Sequence, residues 1–514
     1  MVKKQTVAET MVILSFVVFL LILTFSFNGP RGIWQPDEGY YTGTAITMLE
    51  KGNFLILYLG EDEIFLDKPP MIYWGIIAGF KILGHSEFAV RFFHGFCFVL
   101  TILAVGGLSY FMFQDRWLAM LSSLIYATMV IPFIAANFVT PDTILTLWAT
   151  LSALCFWKSI KSYGMTRILW QMLLCVSVGL GFLSKGPAIL IPCGAMFAFL
   201  FFRKEFLQFF FTRWFFLGIS IFVLTGLSWY IYIGFKIPGA FSYFFDNQIL
   251  GRLITEKYNR NPGITGALIY LPVLVFGSLP WSIIWLEKKN LVRSSLFNIQ
   301  WWKNLPQKPQ LLFLTCYFFI PLAILCTASS KLGLYALPIF VPLAIATAKL
   351  WKDKAPIIKS YALGYLLKSF ARPVKLVICW IILLVFAKLA IAYYPTPDNM
   401  KTLWASVRQS LPSGDYEICT IDKRADGLLF YSTYGVEHLT KKKDPYPAFT
   451  KTEHILEEAK EFIRENEHGV FLVAEDDIVE VGNILKISGV ECRVVHLPHK
   501  KALLFPILNG KVEL

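Results

Sequence analysis

The sequence predicts an α-helical integral membrane protein of about 11 transmembrane helices, followed by a small C-terminal α/β soluble domain. Three observations lead there. The 514 residues are 56% apolar and 16% charged, whereas a soluble chain carries about 25% charged and 45–50% apolar residues. The apolar residues, with 46 Phe and 15 Trp among them, gather in long runs, as spanning helices require when they satisfy their own backbone hydrogen bonds. Near residue 393 the runs stop and a charge-rich tail begins. The composition excludes an ordinary soluble enzyme and a disordered chain. The long runs exclude an outer-membrane barrel, whose segments alternate over about 10 residues.

Taken in order, the spans are expected at 10–27, 92–112, 117–134, 142–157, 168–184, 187–202, 214–234, 264–286, 311–328, 335–350 and 374–393. Lys3 and Lys4 precede the first run as in a signal peptide, but Phe27-Asn28-Gly29-Pro30 offers no small-residue cleavage site, so a retained helix is expected. The net charge of +13 matters less than its placement. With the N-terminus inside, basic residues outnumber acidic ones roughly four to one in the inner connections and are balanced outside, as the positive-inside rule requires. Eleven spans then place 394–514 outside. The expected organisation is a transmembrane domain over 1–393 with a large outer loop at 28–91, then an external domain over 394–514.

In that tail, Glu417–Asp422, Gly469–Glu475, Glu491–Leu497 and Ala502–Ile507 read as strands. Ile455–Asn466 and Ile478–Ile487 read as helices. Of nine cysteines, seven fall in apolar spans as small core residues. Cys419 and Cys492 fall in tail strands, where an oxidising compartment permits a disulfide. No CxxC, HExxH or Cys/His cluster at metal spacing occurs, so neither metal nor cofactor is expected.

The loop 28–91 is too long for a connector. Helical spacing of Ala45, Met48 and Leu49 after Tyr41, and an apolar run from Ile72 to Leu83 behind Pro69-Pro70, predict two amphipathic helices at the outer membrane surface. Asp37 and Glu38 open the first of these, where a helix N-terminus favours carboxylate on its own account. The derived topology places Lys68, Asp142, Lys185, Asn247, Arg252, Lys257, Arg260, Lys331 and Tyr335 on that same side. Ionisable groups beside a membrane are costly unless paired or functional. Such a gathering predicts an active site at the outer surface, against the blander reading of helix-dipole carboxylates and lysines snorkelling to the interface.

These residues carry a resemblance. Asp37-Glu38, Ala45, Met48-Leu49, Gly52-Asn53-Phe54, Lys68-Pro69-Pro70 and Tyr73-Trp74 resemble the first periplasmic loop of membrane glycosyltransferases with the C-type (GT-C-like) fold. That family takes sugars from polyprenyl phosphates. It includes the bacterial lipid A 4-amino-4-deoxy-L-arabinose transferases and, more distantly, the protein O-mannosyltransferases. The resemblance continues at Ser184-Lys185-Gly186-Pro187, Phe244-Phe245 through Asn247 to Arg252, and Ser330-Lys331 with Tyr335 and Pro338, covering about residues 30–345. It departs in two respects. The arabinose transferases have nearer 13 spans, and an Arg often follows their Asp-Glu pair where Gly39-Tyr40-Tyr41 stands here.

The resemblance implies a glycosyltransferase of the bacterial inner membrane, with a cytoplasmic N-terminus, a periplasmic tail and Asp37 as catalytic carboxylate, Glu38 beside it. Its partners would be an undecaprenyl-phosphate sugar, lipid A as acceptor and membrane lipids, with no nucleic acid. A phosphate leaving group gains charge as the glycosidic bond breaks, and cations at its oxygen favour the transition state over the ground state. Lys68, Arg252 and the Tyr335 hydroxyl suit that role without a metal. Asp142, Lys185, Asn247 and Lys331 are candidate substrate-binding residues. An O-mannosyltransferase-like enzyme is the alternative within the class. A transporter or flippase would show repeats and mid-membrane charge, and the charges here sit at span ends. A non-catalytic scaffold would leave the polar outer loops without a role.

Overall fold

The computed structural model describes residues 2–507 apart from 61–62, 211–212, 251–259, 288–297, 353–370, 413, 415, 433–434, 442–452, 466–467 and 488. The chain forms two compact units. One comprises Met1–Ser26, His94–Ile231 and Phe244–Ala390; the other comprises Phe27–Phe93, Tyr232–Tyr243 and Ile391–Leu514.

The first unit is helical. Among the described residues seven helices are long and apolar enough to cross a membrane, or eight if the bent pair Arg116–Thr128 and Val130–Ala136 is one span. That pair turns by 66° at Met129, which adopts an extended conformation. Pro132 then lies in the first turn of the following helix, where a missing N–H is tolerated. The run expected at 264–286 is divided instead into Gly263–Ala267, Tyr270–Gly277 and Ser282–Glu287, with Pro272 and Pro280 interrupting it. The expected spans at 168–184 and 187–202 form one apolar stretch, Gly164–Arg203. It is broken by a short 3-10 segment at Gly186–Ile189, where Gly186 has φ 61°.

Aromatic packing holds this unit together. Phe156 meets Phe199 edge-on at 5.9 Å and stacks on Phe313 at 5.6 Å, beside the buried Trp157 and Tyr317. The buried Lys388 of the Ala371–Ala392 helix donates to the Thr24 carbonyl at 2.5 Å. It thereby supplies a cation to the carbonyl end of the Val2–Phe25 helix.

The second unit joins the long loop to the tail. The loop contributes helices Asp37–Glu50 and Met71–Leu83 and a hairpin of β1 (Tyr58–Leu59) and β2 (Glu63–Ile64). The helices pack on each other and are more enclosed than surface-lying helices would be: ten of fourteen residues in the first and seven of thirteen in the second are buried. The reason lies in the tail, whose 3-10 turn Asp426–Phe430 packs against the first helix.

The tail folds as a six-stranded sheet of β3 (Glu417–Ile421), β4 (Val436–Thr440), β5 (Glu453–His454), β6 (Gly469–Ala474), β7 (Glu491–Leu497) and β8 (Lys501–Ile507), in the order β5-β4-β3-β6-β8-β7. The pairs from β5 to β6 are parallel and those of β8 antiparallel. Helices Ile455–Glu465 and Ile478–Ile487 bury Ile455, Ala459, Val481 and Leu485 in the core on the sheet. The permitted Cys419–Cys492 disulfide does not form. Three strand intervals separate β3 from β7, roughly 14 Å at about 4.8 Å each, well beyond the reach of a disulfide.

Candidate active site

The predicted site residues fall into two sets, one in each unit. In the loop unit, local chemistry explains the motif before any catalysis is invoked. The Asp37–Glu50 helix ends at Gly52 with φ 61°, and the Asn53 N–H reaches back to the Met48 carbonyl at 3.1 Å. This is a glycine-terminated helix end of the kind few other residues adopt without strain. The Asn53 side chain then accepts from the Leu55 and Ile56 N–H groups, both at 3.0 Å. That turn presents the Phe54 carbonyl to the Trp74 indole, which donates at 2.7 Å. Pro69 and Pro70 lead into the Met71–Leu83 helix, whose Tyr73 is fully buried and meets Tyr41 edge-on at 5.9 Å. The Tyr73 hydroxyl is buried without a hydrogen-bond partner among the described residues. Burial, then Asp67 and Tyr243, push its pKa well above the usual phenol value.

Asp37 and Glu38 lie at the positive end of their helix, but their surroundings differ. Asp37 is exposed. Glu38 is 2% exposed and both its carboxylate oxygens are engaged. Arg31 donates to Oε1 at 2.6 Å; Arg91 donates to Oε1 at 3.0 Å and Oε2 at 2.7 Å; the Trp34 N–H donates to Oε2 at 3.2 Å. Burial alone would raise the Glu38 pKa, but the two guanidiniums and these hydrogen bonds bring it down to about 2. Arg91, itself 1% exposed, also binds the carbonyls of Asn28, Arg31 and Gly32 at 2.7–2.8 Å. Glu38 is thus the centre of a charge cluster that ties the loop's first ten residues to the Arg91 side chain, an arrangement that leaves it little basicity. Lys68 is largely buried and forms an ion pair with Asp67.

In the helical unit, Asp142 stands in the first turn of the Pro141–Lys161 helix and is 5% exposed. The Lys185 ammonium, at the end of the Gly164–Lys185 helix, donates to its Oδ1 at 2.5 Å. The same ammonium lies 4.3 Å from the centroid of the half-buried Tyr335 ring. The structure therefore brings Asp142, Lys185 and Tyr335 together from three elements distant in sequence. Lys331 is 2% exposed, and among the described residues no carboxylate pairs with it. Its backbone is fixed by Asn261, whose side-chain amide donates to the Lys331 carbonyl at 3.0 Å, and by the Arg260 carbonyl, which accepts from the Lys331 N–H at 2.8 Å.

Asn247 lies in the π-helical segment Tyr243–Leu250; its side chain, and Arg252 and Lys257 altogether, lie outside the described residues. Arg260 is exposed. His94 belongs to no motif. It is buried, and its Nε2 lies 2.6 Å from the Thr140 carbonyl oxygen, immediately before Pro141-Asp142. A lone histidine in an apolar run gives no signal of such a contact.

Comparison with known proteins adds to this geometry. Residues 10–244 match the family described as dolichyl-phosphate-mannose-protein mannosyltransferase. The undecaprenyl phosphate-alpha-4-amino-4-deoxy-L-arabinose arabinosyl transferase of Photorhabdus laumondii is 30% identical over 337 residues, 65% of this chain and 58% of the relative. The second such transferase of Proteus mirabilis is 30% identical over 362 residues, 69% of this chain and 62% of the relative. The chain thus spans about three fifths of the length of these curated relatives. The crystal structure of ArnT from Cupriavidus metallidurans bound to undecaprenyl phosphate superposes with a TM-score of 0.74 at 15% identity, covering 96% of this chain and 98% of that one. The chain has the helical membrane fold of that ArnT structure and is similar in sequence to the 4-amino-4-deoxy-L-arabinose transferases.

Proposed function

We propose that this protein is a glycosyltransferase that moves an amino sugar, 4-amino-4-deoxy-L-arabinose, from undecaprenyl phosphate to lipid A at the outer face of the bacterial inner membrane. The observation that carries this reading is the 30% identity to transferases whose names state that donor and sugar. The relatives are longer than this chain, whose own charged residues support transfer by the chain itself. Eleven spans with a cytoplasmic N-terminus put the loop 28–91 and the domain 394–514 in the periplasm.

In the proposed reaction an acceptor oxygen bonds to the anomeric carbon as the bond from that carbon to the phosphate oxygen breaks. Undecaprenyl phosphate leaves with the electron pair, and the configuration inverts. Lys68, Arg252 and the Tyr335 hydroxyl stabilise the phosphate as its charge grows. Asp37, an exposed carboxylate at a helix N-terminus, is the catalytic carboxylate. A lipid A phosphate is already anionic near neutral pH, so with that acceptor Asp37 orients the reactants and binds the sugar's ammonium rather than removing a proton. Glu38 acts behind it as a positioning residue, held by Arg31 and Arg91. Lys331 supports an anionic substrate, because a buried ammonium that no carboxylate pairs with among the described residues is costly until an anion approaches it. Asp142, Lys185 and Asn247 complete the substrate-binding set.

The match of residues 10–244 to the mannosyltransferase family favours one second reading, with a protein hydroxyl as acceptor and Asp37 as general base. Mass spectrometry of lipid A from cells with and without the protein separates the two. A pentosamine-sized gain that vanishes in Asp37→Ala and Lys68→Ala supports lipid A as acceptor. Unchanged lipid A, with the protein inserted and folded, points to the protein acceptor.

A further inference from the structure

The segment that delivers Asp37 is held by the C-terminal tail. The Ile33 N–H donates to the Tyr431 hydroxyl at 2.9 Å, and the Ile33 carbonyl accepts from the Met400 N–H at 2.9 Å. Trp34 and Asn399 form an antiparallel bridge, and the Gln35 N–H donates to the Asp398 carbonyl at 2.9 Å. The Gln35 side chain then makes two contacts of opposite polarity. Its amide N–H donates to Asp426 Oδ2 at 2.9 Å, and its carbonyl accepts from the Gly427 N–H at 3.3 Å.

Space has been cleared for this contact. A Cβ on Gly39 would lie 1.6 Å from Gln35 Oε1, and one on Gly427 would lie 2.7 Å from a Met400 side-chain carbon and 3.3 Å from the Gly39 Cα. Asp426 is 6% exposed and its other oxygen accepts from Arg424 Nε at 3.1 Å, while Arg424 also pairs with Glu63 of the loop hairpin. Residue 35 is therefore fixed by the tail, residue 38 by Arg31 and Arg91, and the exposed Asp37 stands between them.

We propose that Gln35 and Asp426 are positioning residues for Asp37, and that the tail domain completes the transferase site by holding the loop that carries it. This rests on the reading of Asp37 as the catalytic carboxylate. A carboxylate on a segment that is not held in place loses orientation, and misplacement by about 1 Å can cost roughly 100-fold in rate. The amide of Gln35 matches a carboxylate on one side and an N–H on the other, so a carboxylate at position 35 would face Asp426 with like charge. Exchanging the two groups restores donor and acceptor.

The experiment uses the full-length protein in lipid nanodiscs, with undecaprenyl-phosphate-linked 4-amino-4-deoxy-L-arabinose and lipid A as substrates. It compares Gln35→Ala, Gln35→Glu, the exchange Gln35→Glu with Asp426→Asn, and Asp37→Asn. The expected result is a kcat lowered about tenfold or more in both single variants at position 35, with KM for the donor and the thermal midpoint unchanged. The exchange variant is expected to recover most of that kcat. Gln35→Ala introduces no like charge, so it gives the reading even if Gln35→Glu does not fold. Wild-type kcat in Gln35→Ala, or a kcat loss that tracks loss of folded protein, overturns the proposal. An inactive Asp37→Asn beside a fully active Gln35→Ala removes only this inference, whereas an active Asp37→Asn removes the assigned role of Asp37 itself.

Discussion

Two adjacent carboxylates in this protein have opposite surroundings, Asp37 exposed and Glu38 buried. Glu38 balances two buried guanidiniums, so Glu38→Gln leaves uncompensated charge in the interior. That change is expected to cost about 3–5 kcal/mol of stability, read as a lower thermal midpoint in detergent. Asp37→Asn should leave the midpoint unchanged and remove transfer activity. The pH dependence follows from the same cluster. The Glu38 pKa is lowered from 4.5 to about 2 on folding. Its contribution is complete above about 4.5 and is lost as pH falls towards about 2. Wild-type stability should therefore decline across that window, and Glu38→Gln should show a shallower decline. The sequence made the Asp-Glu pair legible as a helix-opening signal. It could not show which carboxylate faces inward, because the deciding partners are Arg31, seven residues away, and Arg91, fifty-three away.

Elements were legible where their signal was local. The tail strands at Glu417–Ile421 and Glu491–Leu497 and the helix Ile478–Ile487 follow alternation or helical spacing, and they form where those patterns place them. Strand Val436–Thr440 went unread because its five residues include Glu437 and His438, which weaken the apolar pattern. Its place in the sheet comes from pairing with β3. Span division was harder, since prolines at 132, 272 and 280 and the Gly186 break cut apolar runs without changing their hydropathy. The Asp142–Lys185 pair depends on two such helix ends meeting. Removing either partner strands a charge, so Asp142→Asn and Lys185→Met should each lower kcat/KM for transfer. The double variant should be no worse than the more damaging single one, because paired residues do not act additively. Additive losses would show that the two act separately.

At the scale of the whole molecule, tail and loop fold as one unit although residues 94–390 separate them in the chain. Removal of residues 394–514 uncovers Ile33 and the Asp37–Glu50 helix. Limited trypsinolysis should then cut at Arg31, which is buried in the full chain. The orientation predicted from charge asymmetry has its own test: alkaline phosphatase fused after Leu514 should be active in the periplasm, and fused after Arg203 inactive. Composition and the long apolar runs made the membrane class legible, and the loop motif carries the proposed reaction class. The joining of tail to loop was not, because main-chain contacts such as Gln35 to Asp398 leave no mark on side-chain pattern. Transfer of an amino sugar to lipid A is proposed to run through Asp37 and Lys68. Mass spectrometry of lipid A, from cells expressing the wild type, Asp37→Ala or Lys68→Ala at matched levels of inserted protein, should show the pentosamine increment only in the wild type. An increment that persists in both variants, or is missing from the wild type, would contradict it.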